Sequence, residues 1–306
     1  MEGENQTNLS EFIFVGFSDL PELQVPLFCG FLLIYLATFA GNLLTVAVIC
    51  SDSHLHTPMY FFLANLSFLD LTYTSITFPK LLANFILEHP HISRTGCLVQ
   101  FYFVLCMLCT EFVLLTIMAY DRYVAICNPL RYTVIMSKMV CIKLSAAIWF
   151  FGMMEPIPYT VLFSELSFCK SNRINHFFCD ITALLDLSCT STRVIENVTY
   201  FLGAVLVMTT LMLILISYVN IISAILRIQS TEGREKAFST CASHVTMVIL
   251  FYGAILIMYM RPASTYSMDQ NKIFSLLYTA LTPLLNPVIY SLKNRDFKRA
   301  LTKGRC

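Results

Sequence analysis

The chain has 306 residues, 57% of them hydrophobic and 13% charged, about half the charged share usual in a soluble domain. Twenty basic and nineteen acidic residues leave a net charge of +1, which excludes both nucleic acid as a partner and a disordered acidic tail. Ten glycines, eleven prolines and no repeat exclude collagen-like and solenoid folds, leaving one compact body in a membrane.

Residues 1–24 read as an extracellular tail with five acids (Glu2, Glu4, Glu11, Asp19, Glu22) and no Lys or Arg. Lacking a basic n-region, they do not resemble a cleavable signal peptide, so the first helix is expected to direct insertion. Asn5-Gln6-Thr7 and Asn8-Leu9-Ser10 are sequons that make Asn5 and Asn8 glycosylation sites. The Asn65 sequon falls inside a span and the Asn197 sequon too near the membrane.

A stretch of about 20 apolar residues crosses the hydrocarbon. Residues 23–51, 197–226, 237–260 and 273–292 carry no formal charge, and 57–79, 95–120 and 144–164 carry one acid each: Asp70, Glu111 and Glu155. Seven spans within 25–292 follow, an all-α seven-transmembrane bundle. Glu155, beside Pro156 and Pro158, is read as marking the end of its span. Asp70 and Glu111 lie mid-span, where burying a charge is costly and function is the default reading. Thirteen Lys and Arg fall in the connections and tail on one side against seven on the other, which places the C-terminus in the cytoplasm and the N-terminus outside. Residues 293–306 form a cytoplasmic tail with six basic residues, one Asp, and Phe297 and Leu301 at i, i+4. That pattern predicts a short amphipathic helix on the inner leaflet, its basic side chains facing anionic lipid, with Cys306 a candidate for acylation.

Of twelve cysteines, Cys97, Cys169, Cys179 and Cys189 fall outside, and their three possible pairings are left open by the sequence. A bridge from Cys97 to one loop cysteine would tether the long outer connection at about 164–196. Cys106 and Cys109, at i, i+3, read as small buried thiols, with Cys109 lining a pocket.

Six separated motifs carry a family resemblance. They are Gly41-Asn42; Leu55-His56-Thr57-Pro58-Met59-Tyr60-Phe61-Phe62-Leu63; Met118-Ala119-Tyr120-Asp121-Arg122-Tyr123-Val124-Ala125-Ile126-Cys127; Ser217-Tyr218; Lys236-Ala237-Phe238-Ser239-Thr240-Cys241-Ala242-Ser243-His244; and Pro283-Leu284-Leu285-Asn286-Pro287-Val288-Ile289-Tyr290. The chain thereby resembles the olfactory receptors among rhodopsin-like G-protein-coupled receptors. Arg261-Pro262-Ala263-Ser264-Thr265-Tyr266-Ser267 with Asp269-Gln270 resembles their class II, or tetrapod, branch. Phe251-Tyr252-Gly253 stands where other rhodopsin-like receptors carry Trp-Pro, a departure that olfactory receptors share.

The resemblance implies an odorant receptor at the plasma membrane that activates the stimulatory olfactory G protein and raises cyclic AMP. It also implies the pairings Cys97–Cys179 and Cys169–Cys189. Arg122, Glu111 and Val104 are separated by 11 and 18 residues, close to whole helical turns, so all three should face the bundle. Val104 then lies about 27 Å outward of Arg122 on one rod. At rest Asp121 is expected to hold Arg122, and activation to free the guanidinium toward Tyr218 and the G protein, with Tyr123, His244, Asn286, Pro287 and Tyr290 in the same switch. Asp70 and Glu111, two like charges in the membrane, are expected to share a sodium ion; no other cofactor is implied.

Val104 stands where amine receptors place an anchoring Asp, and residues 273–292 contain no Lys for a retinal Schiff base. Leu105, Leu108, Cys109, Gly203, Leu206, Val207, Ile255, Tyr259 and Thr279 fall on turns expected to face the same space as Val104. The chamber should take a small, neutral, mostly apolar volatile, with Tyr252, Tyr259 or Thr279 offering hydrogen bonds. A transporter would show an inverted repeat, and an intramembrane enzyme a nucleophile–base pair or metal triad; neither pattern occurs in the sequence.

Overall fold

The computed structural model describes residues 11–17, 21–87, 91–169, 171–259, 268–292 and 295–303. The glycosylation sites Asn5 and Asn8, the 261–267 motif and Cys306 lie outside them.

Long helices dominate because few side chains break the apolar stretches, and in hydrocarbon a helix satisfies its own backbone. The first is α1 (Gln24–Ser51), followed by α2 (Pro58–Ile86) and α3 (Arg94–Cys127). A one-turn α4 (Tyr132–Ile135) leads to α5 (Lys138–Met154) and α6 (Ile157–Ser164), which together make one 27-residue span. After the short α7 (Ile181–Leu187) come α8 (Arg193–Leu226) and α9 (Thr231–Tyr259). The last span joins α10 (Met268–Leu276) to α11 (Thr282–Leu292) through a π-helical turn at Leu277–Leu281, and α12 (Arg295–Lys303) follows. Six of these spans are long and apolar enough to cross a membrane by composition alone. The seventh, α2, has 29 residues and owes its weaker apolar signal to polar side chains such as Asp70 that the bundle encloses.

The fourth span corrects one expectation. It does not end at Glu155: α5 stops at Met154, and beyond Pro156 the chain resumes as α6 to Ser164. Prolines here leave backbone carbonyls without an amide partner and so loosen the helix rather than end the crossing.

Beyond the outer ends of the helices, three short strands form a cap. β1 (Glu11–Phe14) pairs antiparallel with β2 (His91–Ser93) and parallel with β3 (Arg173–Ile174). Residues 11–17 are therefore part of the folded body. Phe12 and Phe14 are buried from this strand into an outer core with Phe101, Leu105, Tyr159, Phe163 and Phe168. A larger core fills the bundle below. At the opposite end Phe297 and Ala300 of α12 are buried and Leu301 is half-buried against that core, so the apolar face of this helix docks on the bundle.

Two glycines show how closely the helices meet. A Cβ at Gly152 in α5 would collide with Thr110 Oγ1 and stand 3.1 Å from the Cys106 carbonyl of α3, so only glycine fits that seam. At Gly203 in α8 a Cβ would meet nothing within 4 Å. Gly152→Ala should therefore destabilise the protein by about 2 kcal/mol, the usual scale of overpacking. Thermal unfolding in detergent should show a lower midpoint for Gly152→Ala and an unchanged one for Gly203→Ala.

Candidate functional site

The expected chamber residues gather on the outer half of the bundle. Val104, Tyr252 and Ile255 are buried in the large core, and Leu206 and Val207 of α8 pack half-buried against it. Leu108 borders both cores, while Leu105 belongs to the outer one. Gly203 is half-buried beside open space. The Thr279 hydroxyl is committed to the Ser275 carbonyl at 2.7 Å within the π-helical stretch, so it keeps only acceptor capacity for another group. The Tyr259 side chain lies outside the described residues. Phe112 of α3 meets Phe251 and Tyr252 of α9 edge to face, with centroids 4.8 and 5.3 Å away.

Cys109 does more than line a wall. Its thiol donates to Glu155 Oε2 at 2.9 Å, and the Tyr159 hydroxyl donates to Oε1. Glu155 is thus a polar centre on the α3–α5 seam, the opposite of its reading as a mere boundary.

The cap closes the outer mouth. Cys97 of α3 is bonded to Cys179, and Cys169 to Cys189. Gln100 braces the first bridge, accepting from the Cys179 amide at 3.0 Å and donating to the Ile76 carbonyl of α2 at 3.1 Å. Lys272, buried at the top of α10, donates to the Gly16 carbonyl at 3.0 Å and to Asn175 Oδ1 at 2.9 Å, tying the N-terminal segment and the 164–196 connection to the last span. His176 stacks on Phe177 and lies 3.2 Å from Ser275 Oγ, while its Nδ1 accepts from the Phe178 amide. Nδ1 is therefore bare and Nε2 carries the proton that Ser275 receives. Burial, with Lys272 adding to it and Asp180 opposing, lowers the His176 pKa to about 4, so the ring is neutral at pH 7.

At mid-membrane, Asp70 and Glu111 are both buried, within electrostatic reach of each other. Asn286 Nδ2 of α11 donates to Asp70 Oδ2 at 2.7 Å. Asp70 Oδ1, Glu111 Oε1, Ser67 Oγ and Asn286 Oδ1 are buried with no hydrogen-bond partner among the described residues. The unpaired oxygens of Asp70, Glu111 and Asn286 are of the chemical type that a hard cation takes.

At the inner end, Arg122 donates to Asp121 Oδ2 at 2.7 Å, and Tyr132 of α4 donates to Asp121 Oδ1 at 2.8 Å. Burial, and then the Asp121 charge, raises the Tyr132 pKa, so its hydroxyl remains a donor at physiological pH. Tyr218 of α8 is not free to receive Arg122 in this state: its hydroxyl lies 2.8 Å from His244 Nδ1, and His244 Nε2 lies 3.1 Å from the Leu115 carbonyl. With the tautomer that satisfies both contacts, Tyr218 donates to Nδ1 and Nε2–H donates to Leu115, joining α8, α9 and α3. Tyr123 is half-buried beside Tyr120, and the Tyr290 hydroxyl is buried without a hydrogen bond among the described residues. Pro287 lies 3.3 Å from where a Gly41 Cβ would stand, and Asn42 donates to the Pro283 carbonyl, so α1 braces α11 beside the switch.

Tyr132, Lys272 and His176 escaped the sequence reading, and Glu155 was read as a span boundary. Of the first three, Lys272 left a local trace, as a cation bordering a charge-free span.

A seven-helix body with a disulfide-tied outer cap and an Asp-Arg pair at its inner mouth has the build of a membrane receptor. Comparison with known proteins makes the class particular. The olfactory receptor family model matches residues 31–306. Olfactory receptor 9G4 of Homo sapiens is 51% identical over 304 residues, covering 99% of this chain and 93% of that protein. Olfactory receptor 5AR1 of Mus musculus is 48% identical over 303 residues (99% and 98%), and olfactory receptor 1E2 of Gorilla gorilla gorilla 48% over 306 (100% and 98%). The chain belongs to the olfactory receptor family: it is a multi-pass odorant receptor of the plasma membrane, not an enzyme.

The cap should be acid-sensitive. Because the folded His176 binds its proton less readily than a free histidine, its contribution to stability is complete above about pH 6.5 and is lost as pH falls toward 4. Up to about 3 kcal/mol is at stake. The unfolding midpoint of purified receptor should drop over that window, and His176→Gln should flatten the drop.

Proposed function

We propose that a small, neutral, mostly apolar volatile binds the outer chamber and that the receptor then activates a stimulatory olfactory G protein, raising cyclic AMP. One observation carries this reading: the 34-residue α3 holds Val104, Leu105, Leu108 and Cys109 toward its outer end and the Asp121–Arg122 pair at its inner end. A single stiff element thus touches both the chamber and the cytoplasmic mouth.

Ligand binding acts on the edge-to-face contacts of Phe112 with Phe251 and Tyr252, which join α3 to α9. Displacing α9 opens the Tyr218–His244 link and leaves Tyr218 available to the Arg122 guanidinium. Arg122 must in turn leave Asp121, whose charge remains compensated by Tyr132. The ligand shifts this equilibrium only by its differential affinity for the two arrangements. Asp70, Glu111, Ser67 and Asn286 would hold a sodium ion, whose positive charge offsets two acids that the hydrocarbon cannot solvate. Burying about 250 Å² of apolar ligand surface supplies about 6 kcal/mol before entropic losses, which points to micromolar or weaker affinity.

The experiment is a cyclic AMP assay in cells supplying the olfactory stimulatory G protein, screened with chemically diverse volatiles; a volatile that raises cyclic AMP supports the reading, and failure of every volatile to do so would overturn it. Arg122→Ala should abolish the response while surface delivery persists, and a normal response would remove Arg122 from the switch. Val104→Phe should reorder ligand potencies by filling the chamber, and identical dose–response curves would place Val104 outside it.

A further inference from the structure

We propose that Glu155, flanked by Cys109 and Tyr159, is the polar, specificity-determining end of the chamber, and that the ligand it selects brings a hydrogen-bond donor, a hydroxyl or an ammonium group. This deepens the function proposed above and rests on its chamber: a hydroxyl donor keeps the ligand neutral as proposed there, whereas an ammonium donor replaces the neutral ligand with a cation.

Glu155 lies inside the fourth span, where α5 gives way to α6. It is half-buried, and its two oxygens receive one donor each, the Cys109 thiol and the Tyr159 hydroxyl. Both donors are neutral, and no ion pair reaches this acid among the described residues. A carboxylate has about four lone-pair sites, so two remain for a further donor.

The surroundings point to the chamber side of the seam. Cys109 follows Leu105 and Leu108 by one turn and one residue on α3. Tyr159 is buried in the same outer core as Leu105, and Leu202 of α8 packs against that core. Gly203, next along α8, is the chamber position where a Cβ would meet nothing within 4 Å. Acid and open space thus border the same cluster of side chains.

A purely structural role is a poor account of this acid. One turn earlier, Gly152 already brings α5 against Thr110 and Cys106 with no charge involved. An acid within a span, compensated by neutral donors alone, is expensive where apolar packing would suffice. A ligand donor supplies the missing compensation. Ketones, aldehydes and esters would instead set lone pairs against lone pairs, a repulsion that rejects them.

The test compares matched volatiles of one carbon skeleton, an alcohol, a primary amine, an aldehyde and a methyl ester, by cyclic AMP dose–response normalised to surface receptor. Wild type should favour the alcohol or the amine over the carbonyl compounds. Glu155→Gln keeps the shape and an acceptor but adds an NH₂ donor, so it should reduce donor potency relative to carbonyl potency about tenfold, the scale of one hydrogen bond to a charged group. A greater loss for the amine than for the alcohol identifies ammonium as the donor, and an equal loss identifies hydroxyl; both support the assignment. Glu155→Asp, which retains the charge one methylene further back, is read in parallel in case the glutamine variant fails to reach the surface, and it should weaken donors alone. An equal shift for all four compounds, no shift, or a wild-type preference for carbonyl compounds overturns the role of Glu155 while leaving the chamber intact. A wild-type receptor silent to every skeleton, these and the wider volatile screen included, overturns the chamber reading itself.

Discussion

Hydrocarbon offers no hydrogen bonds, and nearly every polar feature of this protein is an answer to that constraint. The threonines show it most simply. Thr45, Thr74, Thr77, Thr110, Thr116, Thr210 and Thr279 each return their hydroxyl to a carbonyl one turn back, so that a polar side chain crosses the membrane without seeking a partner elsewhere. Side chains that cannot satisfy themselves are forced into contacts between helices: Asn42 with the Pro283 carbonyl, Asn65 with Ser145 and Trp149, Asn286 with Asp70, His244 with Tyr218 and Leu115. Polar joints of this kind therefore fix how neighbouring helices are registered against one another.

The two ends of the bundle are held by different forces. Outside, two disulfides, a three-stranded sheet and the Lys272 ammonium bind the connections into one cap. Inside, the Asp121–Arg122–Tyr132 contacts and the Tyr218–His244 link are hydrogen bonds and ion pairs without covalent support. A structure fixed at one end and reversible at the other will express any change within its chamber mainly as motion at the reversible end.

The helices were legible in the sequence because a span is a local signal about 20 residues long, and Asp70 and Glu111 were legible because an acid inside such a signal stands out. Glu155 stood out equally but was misread, since the adjacent prolines suggested an end to the helix when they mark only a loosened joint. What remained hidden depends on partners distant in the chain. Tyr132 reaches Asp121 from across a loop, His176 meets Ser275 99 residues away, and Lys272 binds the carbonyl of Gly16 256 residues away. The strands of the cap have four, three and two residues, too short to announce themselves by alternation.

The order of strands in that cap, with β1 in the middle, bears on how the chain is made. The central strand leaves the ribosome first, yet its two neighbours begin at residues 91 and 173, separated from it by two spans and then by four. Residues 11–14 must therefore wait in the lumen until two spans have been inserted before β2 can pair with them, and until four have been inserted before β3 can. The sheet can thus close only after four spans have been inserted, and its completion reports that those four have been threaded correctly.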